Sequence, residues 1–149
     1  MTLESYRQNG WLNSHQSSPE EIRNLLGVAD TKLSDCKKAK ELSADSRLLL
    51  AHNSIMASAA AVLAAAGYRA ARGGGGEHYQ TIQALEFTID PQKQLIQRID
   101  TLRKKRNQSA YEVSGSVSDM EAERGFALAL QVRGEVEKWI KTHHPEMLR

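Results

Sequence analysis

The feature that most constrains this chain is the alanine-rich stretch leading to Gly67, where Ala57, Ala59, Ala60, Ala61, Ala64, Ala65 and Ala66 follow in close succession. Alanine loses no side-chain entropy in a helix and has the highest helix propensity. Its small side chain also lets a neighbouring helix come close. Ser43-Ala44-Asp45 supplies a helix start, with serine as cap and aspartate at the positive end. From there Leu48, His52, Ile55, Ala59, Val62 and Ala66 fall on one stripe, which Leu49, Met56 and Leu63 widen. The spacing predicts a central helix ending at Gly67 or shortly after.

The flanks carry the same period. Ser18-Pro19-Glu20-Glu21 is a helix start, followed by Ile22, Leu25, Leu26, Ala29, Leu33, Cys36 and Leu42 at helical spacing. Gly27 and Asp30 are expected to loosen that helix midway. Tyr79, Ile82, Leu85, Phe87 and Ile89 predict a short helix, and Asp90-Pro91 is expected to cap and start another, with Leu95, Ile99 and Leu102 as its stripe. Ser118-Asp119-Met120-Glu121 reads as a capping box. The last helix then aligns Gly125, Leu128, Val132, Val136 and Trp139, with Phe126 and Ile140 beside them, and ends near His143-His144-Pro145. No strand-length window alternates apolar with polar residues, and no fixed-period repeat occurs. The expected fold is all-α, an up-and-down bundle of four main helices plus short ones. Residues 1–18, with Tyr6, Trp11 and Leu12, form a polar leader packing on a bundle domain at 19–149, with Trp11 as the expected anchor.

The 149 residues fit one ordinary domain. The longest apolar stretch, Ile55 to Gly67, falls short of the roughly 20 residues a bilayer requires, so no membrane role is expected. One cysteine, Cys36, permits neither an internal disulfide nor a cysteine-based zinc site, and a reducing, cytoplasmic setting is the expectation. Cys36 reads as half-buried and inert beside Lys37 and Lys38. Net charge is +2, from 20 basic and 18 acidic residues. That balance is not the global charge of a strong nucleic-acid binder, so an electrostatic partner must be met by a local patch.

One such patch exists. Arg98, Arg103, Lys104, Lys105 and Arg106 stand against Asp100 alone. Cations suit the negative end of a helix, which accounts for Lys104 and Lys105 as solvated charges. Arg106 differs, because it continues the stripe of Leu95, Ile99 and Leu102. A charge there needs either a buried partner or a cleft that receives an anion. Asn107 and Tyr111 add hydrogen-bonding groups and a stacking ring, which suits nucleotides or single-stranded RNA. The candidate binding residues are Arg103, Lys104, Arg106, Asn107 and Tyr111. Arg106 and Tyr111 are also the candidates for catalysis. Gly73-Gly74-Gly75-Gly76 lacks the preceding strand and lysine–serine ending of a phosphate loop and reads as a flexible connection. Among the histidines, His52 reads as a core residue and His78 as exposed. His143 and His144 are adjacent on a helix and point apart. No metal and no cofactor is indicated.

Arg106-Asn107-Gln108-Ser109-Ala110-Tyr111, ending the penultimate long helix, resembles the signature of the HEPN (higher eukaryotes and prokaryotes nucleotide-binding) superfamily: an arginine, a polar residue, a few variable positions, then histidine. Ala44-Asp45-Ser46-Arg47, Ala51-His52-Asn53-Ser54-Ile55, Ala66-Gly67-Tyr68-Arg69 and Trp139-Ile140 extend the resemblance to a bacterial subgroup, across roughly Trp11 to Met147. It implies a helical bundle that dimerises with its motif arginines in a shared cleft, and Asp45 could there pair with Arg106. It implies RNA or nucleotide binding in a toxin–antitoxin or phage-defence module. Arg106 and Asn107 map onto the motif, whereas Tyr111 stands where histidine is usual. Tyrosine, with a pKa of about 10, moves protons poorly near neutrality, so binding is expected ahead of cleavage. Two alternatives accompany this reading. One is an active metal-independent endoribonuclease using Arg106 with Tyr111 or a repositioned His52. The other is a non-enzymatic dimerisation or interaction module, such as the partner of a minimal nucleotidyltransferase or an antitoxin.

Overall fold

The computed structural model describes residues 1–73, 75–111 and 115–149, with side chains at 109–111 excepted. In chain order the elements are α1 (Leu3–Gln8), β1 (Leu12–Ser14), α2 (Pro19–Lys38), α3 (Ala44–Ala65), β2 (Tyr68–Ala70), α4 (Glu77–Gln83), α5 (Gln94–Tyr111) and α6 (Asp119–His143). Short 3₁₀ turns cover Ala84–Phe87 and Pro145–Leu148. The fold is an all-α helical bundle, as the periodicity predicts.

Three long helices start on serine caps. Ser18, Ser43 and Ser118 each accept a backbone N–H three residues on, and Ser118 and Glu121 form the reciprocal capping box. The alanine-rich helix α3 sits at the centre, and its most extensive packings are on α2 and α6. Along it Leu48, Ala51, Ile55, Ala59 and Val62 are buried, facing Ile22, Leu26 and Leu33 of α2 and Leu128, Val132, Val136 and Ile140 of α6 within one core. Ser54 Oγ donates to Ala29 O across α2 and α3 at 2.8 Å. Gly125 marks the closest approach: a Cβ there would stand 2.8 Å from Leu48 Cδ1 and 3.1 Å from Leu102 Cδ1. A side chain there would require the Leu48 and Leu102 methyl groups to move. α3 is long and apolar enough to cross a membrane by length and composition, contrary to the shorter apolar run counted above, but 67% of its most apolar window is buried inside the protein.

Several local expectations are corrected. α2 runs unbroken through Gly27 and Asp30 and stops at Lys38, leaving Leu42 exposed. α5 does not begin at Pro91. Lys93 N donates to Asp90 O, closing a turn, and Lys93 takes a left-handed φ of 60° that a helix cannot contain. The helix starts one residue later, and buried Asp90 caps it from a distance, its Oδ2 accepting Ile96 N–H at 2.7 Å. β1 and β2 form a two-stranded antiparallel ribbon, Leu12 opposite Ala70 and Ser14 opposite Tyr68. Three residues per strand are too few for an alternation to show in sequence. Through this ribbon residues 1–18 dock on the bundle, and the anchor is Leu12 (1% exposed) with Tyr6, in a small cluster with Leu63 and Ala84. Trp11 is 38% exposed and lays against the Tyr6 ring at 4.9 Å.

Candidate functional site

α5 is amphipathic, and its charged end is sorted by local geometry. Arg103 and Lys104 both hold Asp100, at 3.0 Å and 3.2 Å. The hydrogen bond from Arg103 keeps the Asp100 carboxyl below the usual range, and Lys104 adds to it. Lys104 has 71% of its side chain in solvent, so it belongs to the rim. Lys105 reaches Glu121 of α6 at 3.6 Å. These three cations are therefore partnered by carboxylates.

Arg106 is not. It is half-buried, and its hydrogen bond among the described residues runs from Nη2 to Asn107 Oδ1 at 2.9 Å. Its Nε is shielded from solvent with no hydrogen-bond partner among the described residues. Arg106 and Asp45 form no ion pair among the described residues, unlike the pairing that the resemblance implies; Asp45 accepts the backbone N–H of Gly115 at 3.0 Å. Nearby Arg47 pairs with Asp119.

Arg106 opens into a cleft of about 260 Å³ between α3, α4 and α5. One wall is Ile99, Asp100, Arg103, Arg106 and Asn107 of α5, where the Asp100 carboxylate offsets the charge of Arg103 and leaves Arg106 as the cation without a carboxylate among the described residues. The other brings His52 and Met56, one turn apart on α3, together with His78, Tyr79 and Ile82 of α4. His52 is 3% exposed, and its Nδ1 has no hydrogen-bond partner among the described residues. Burial, and then the charges of Arg106, His78 and Arg103, push its pKa down to about 4. Near neutral pH it is therefore an uncharged imidazole facing cations.

The structure thus gathers three of the predicted residues, Arg103, Arg106 and Asn107, at one cleft and leaves Lys104 on its rim. The side chain of Tyr111 lies outside the described residues. The sequence puts His52 in the core, which is right by burial, and offers it to the site only through the alternative of a repositioned His52. It missed Tyr79 and the covering role of α4 altogether. The spacing of His52 and Met56 was the one available signal, and it does not reveal which helix lies opposite. Gly75 also borders the cleft, and Gly74 lies outside the described residues. Cys36 is buried, its Sγ donates to Arg47 O at 3.4 Å, and burial pushes its thiol pKa up despite Arg47. That is the environment of an unreactive thiol. Among the described residues no three metal-ligating side chains cluster.

Fold and site together define a helical bundle with an open cationic cleft. No protein-family model, no curated protein and no solved structure matches the chain.

Proposed function

We propose that this chain is an HEPN-like helical protein that binds RNA or nucleotides through phosphate at the α3–α4–α5 cleft. The observation that carries the reading is the Arg106 guanidinium, permanently charged, with Nε out of solvent and no hydrogen-bond partner for that nitrogen among the described residues. A buried donor without an acceptor costs about 1–3 kcal/mol. An anionic ligand supplies the missing acceptor, and phosphate oxygens match the guanidinium fork. Asn107 holds Nη2 and so fixes the plane of that fork. Arg103, half-exposed at the same wall, adds positive field, and Lys104 acts from the rim in steering.

His52 favours a second reading, metal-independent RNA cleavage. A neutral imidazole nitrogen without a hydrogen-bond partner among the described residues, in the cleft that holds Arg106, could accept the proton of a ribose 2′-hydroxyl as its oxygen attacks the adjacent phosphorus, the bond from phosphorus to the 5′-oxygen breaking and that oxygen leaving with a proton from water. At a pKa of about 4 it is a weak base. Bound phosphate, by offsetting Arg106 and Arg103, would strengthen it. Tyr111, where the motif carries histidine, keeps binding as the first reading.

The test is a salt titration of binding to a fluorescent RNA oligomer. The parent should lose affinity linearly in log salt. Arg106→Ala should weaken binding by about tenfold or more and reduce the salt slope by about 0.7, the loss of one phosphate contact on single-stranded RNA. Salt-insensitive binding, or an Arg106→Ala variant that binds like the parent, would refute the reading. Incubating the parent with RNA in chelator separates the second reading, since cleavage lost in both Arg106→Ala and His52→Ala would support it.

A further inference from the structure

The cleft has two chemically different ends, and only the α5 wall suits phosphate. Opposite it, Tyr79 stands at the lip on α4, 54% exposed. The ring of Tyr6 is buried against Phe87, and Tyr68 donates its hydroxyl to Glu4. Tyr79 has neither a ring contact nor a hydrogen bond among the described residues. Exposing a large ring to water forgoes burial that the fold obtains from Tyr6. Met56, Ile82 and Ile99 supply the apolar part of the lining. The volume of about 260 Å³ lies just below the range of roughly 300–1,000 Å³ typical of sites for drug-sized ligands. It has room for one base with its sugar phosphate, not for a run of bases.

Resting on the phosphate-binding reading above, we propose that Tyr79 is the base-stacking residue of this cleft, which receives a single nucleotide with its phosphate on Arg106 and its base on the Tyr79 ring. The nucleotide can be free or part of an RNA chain, since the chemistry recognised is the same. Every base has a π-face, so the platform tolerates sequence. The inference makes α4, reached through the glycine-rich connection, part of the ligand site.

The experiment compares adenosine 5′-monophosphate, ribose 5-phosphate and an RNA hexamer, by calorimetry, on the parent, Tyr79→Ala, Tyr79→Phe and Arg106→Ala. Tyr79→Ala should weaken the monophosphate about 10- to 100-fold, the stacking contribution of one base. It should leave ribose 5-phosphate unchanged, and Tyr79→Phe should retain parental affinity. Arg106→Ala should weaken both small ligands. Because Tyr79 is exposed, unchanged circular dichroism and Tm verify that Tyr79→Ala is folded. Hexamer binding without monophosphate binding identifies a nucleotide within a chain as the ligand, and the Tyr79→Ala comparison then runs on the hexamer against its abasic counterpart. Equal loss for base-bearing and base-free ligands, or no loss at all, overturns the role of Tyr79 while the Arg106 site stands. Failure of all three ligands to bind the parent removes the phosphate site and this inference with it.

Discussion

α3 meets two very different neighbours. On the α6 side its leucines and alanines pack so closely that a Cβ at Gly125 would stand 2.8 Å from Leu48 Cδ1 and 3.6 Å from Ala51 Cβ. On the α5 side the same helix, at His52 and Met56, faces a cleft where two buried nitrogens, His52 Nδ1 and Arg106 Nε, have no hydrogen-bond partner among the described residues. The first seam is what apolar burial produces when nothing opposes it. The second retains polar groups that folding alone would pair or remove. The contrast separates the part of the chain that holds the fold from the part whose chemistry is unfinished until a ligand arrives.

The largest expected effect contrasts the two sides directly. Ile140, fully buried on the α6 side, should cost about 2–5 kcal/mol when cut to alanine. Arg106→Met should leave stability unchanged or raise it by up to about 1–3 kcal/mol, because no carboxylate loses its partner and a buried donor without an acceptor is removed. Urea denaturation measures both. A comparable loss for Arg106→Met would make the guanidinium a structural strut and collapse the contrast.

His52 gives the next effect. Its pKa is about 4 in the fold against an ordinary 6.5. Between those values the unfolded chain binds the proton and the folded chain does not, so stability falls as pH drops from about 6.5 to about 4. The loss should approach about 3 kcal/mol from this one residue. A His52→Gln variant should show a flatter stability profile across that window. Equal slopes for parent and variant would mean that His52 titrates normally and is not held neutral by the cleft.

The smallest effect concerns the rim. Lys104→Ala should alter stability by less than about 0.5 kcal/mol, as for any exposed ion pair. It should also reduce RNA affinity less than Arg106→Ala does. If the rim lysine mattered as much as Arg106, the site would be a diffuse basic surface and not a cleft.

The fold was legible because its signals are local. Serine caps at Ser18, Ser43 and Ser118 and apolar stripes at helical spacing mark where long helices run. The ribbon of β1 and β2 was not, since its short strands follow from where the loop after Gly67 meets Leu12. The start of α5 was misplaced because Asp90 reaches past a turn to Ile96, a geometry that a capping pattern does not encode. The site was half legible. Arg106 stood out as a charge on an apolar stripe, and that is a local fact. Its partners across the cleft, His52, His78 and Tyr79, depend on how α4 lies over α3 and α5, which no spacing along the chain records.

The central claim, that the α3–α4–α5 cleft is an anion site built on Arg106, is tested most directly by NMR titration of the His52 imidazole with and without adenosine 5′-monophosphate. Arg106 and Arg103 help hold the His52 pKa down at about 4. A phosphate between them and His52 offsets that field, so the account predicts a clear rise of the His52 pKa on ligand addition, absent in Arg106→Ala. A His52 resonance that neither shifts nor changes its titration at saturating ligand would contradict it.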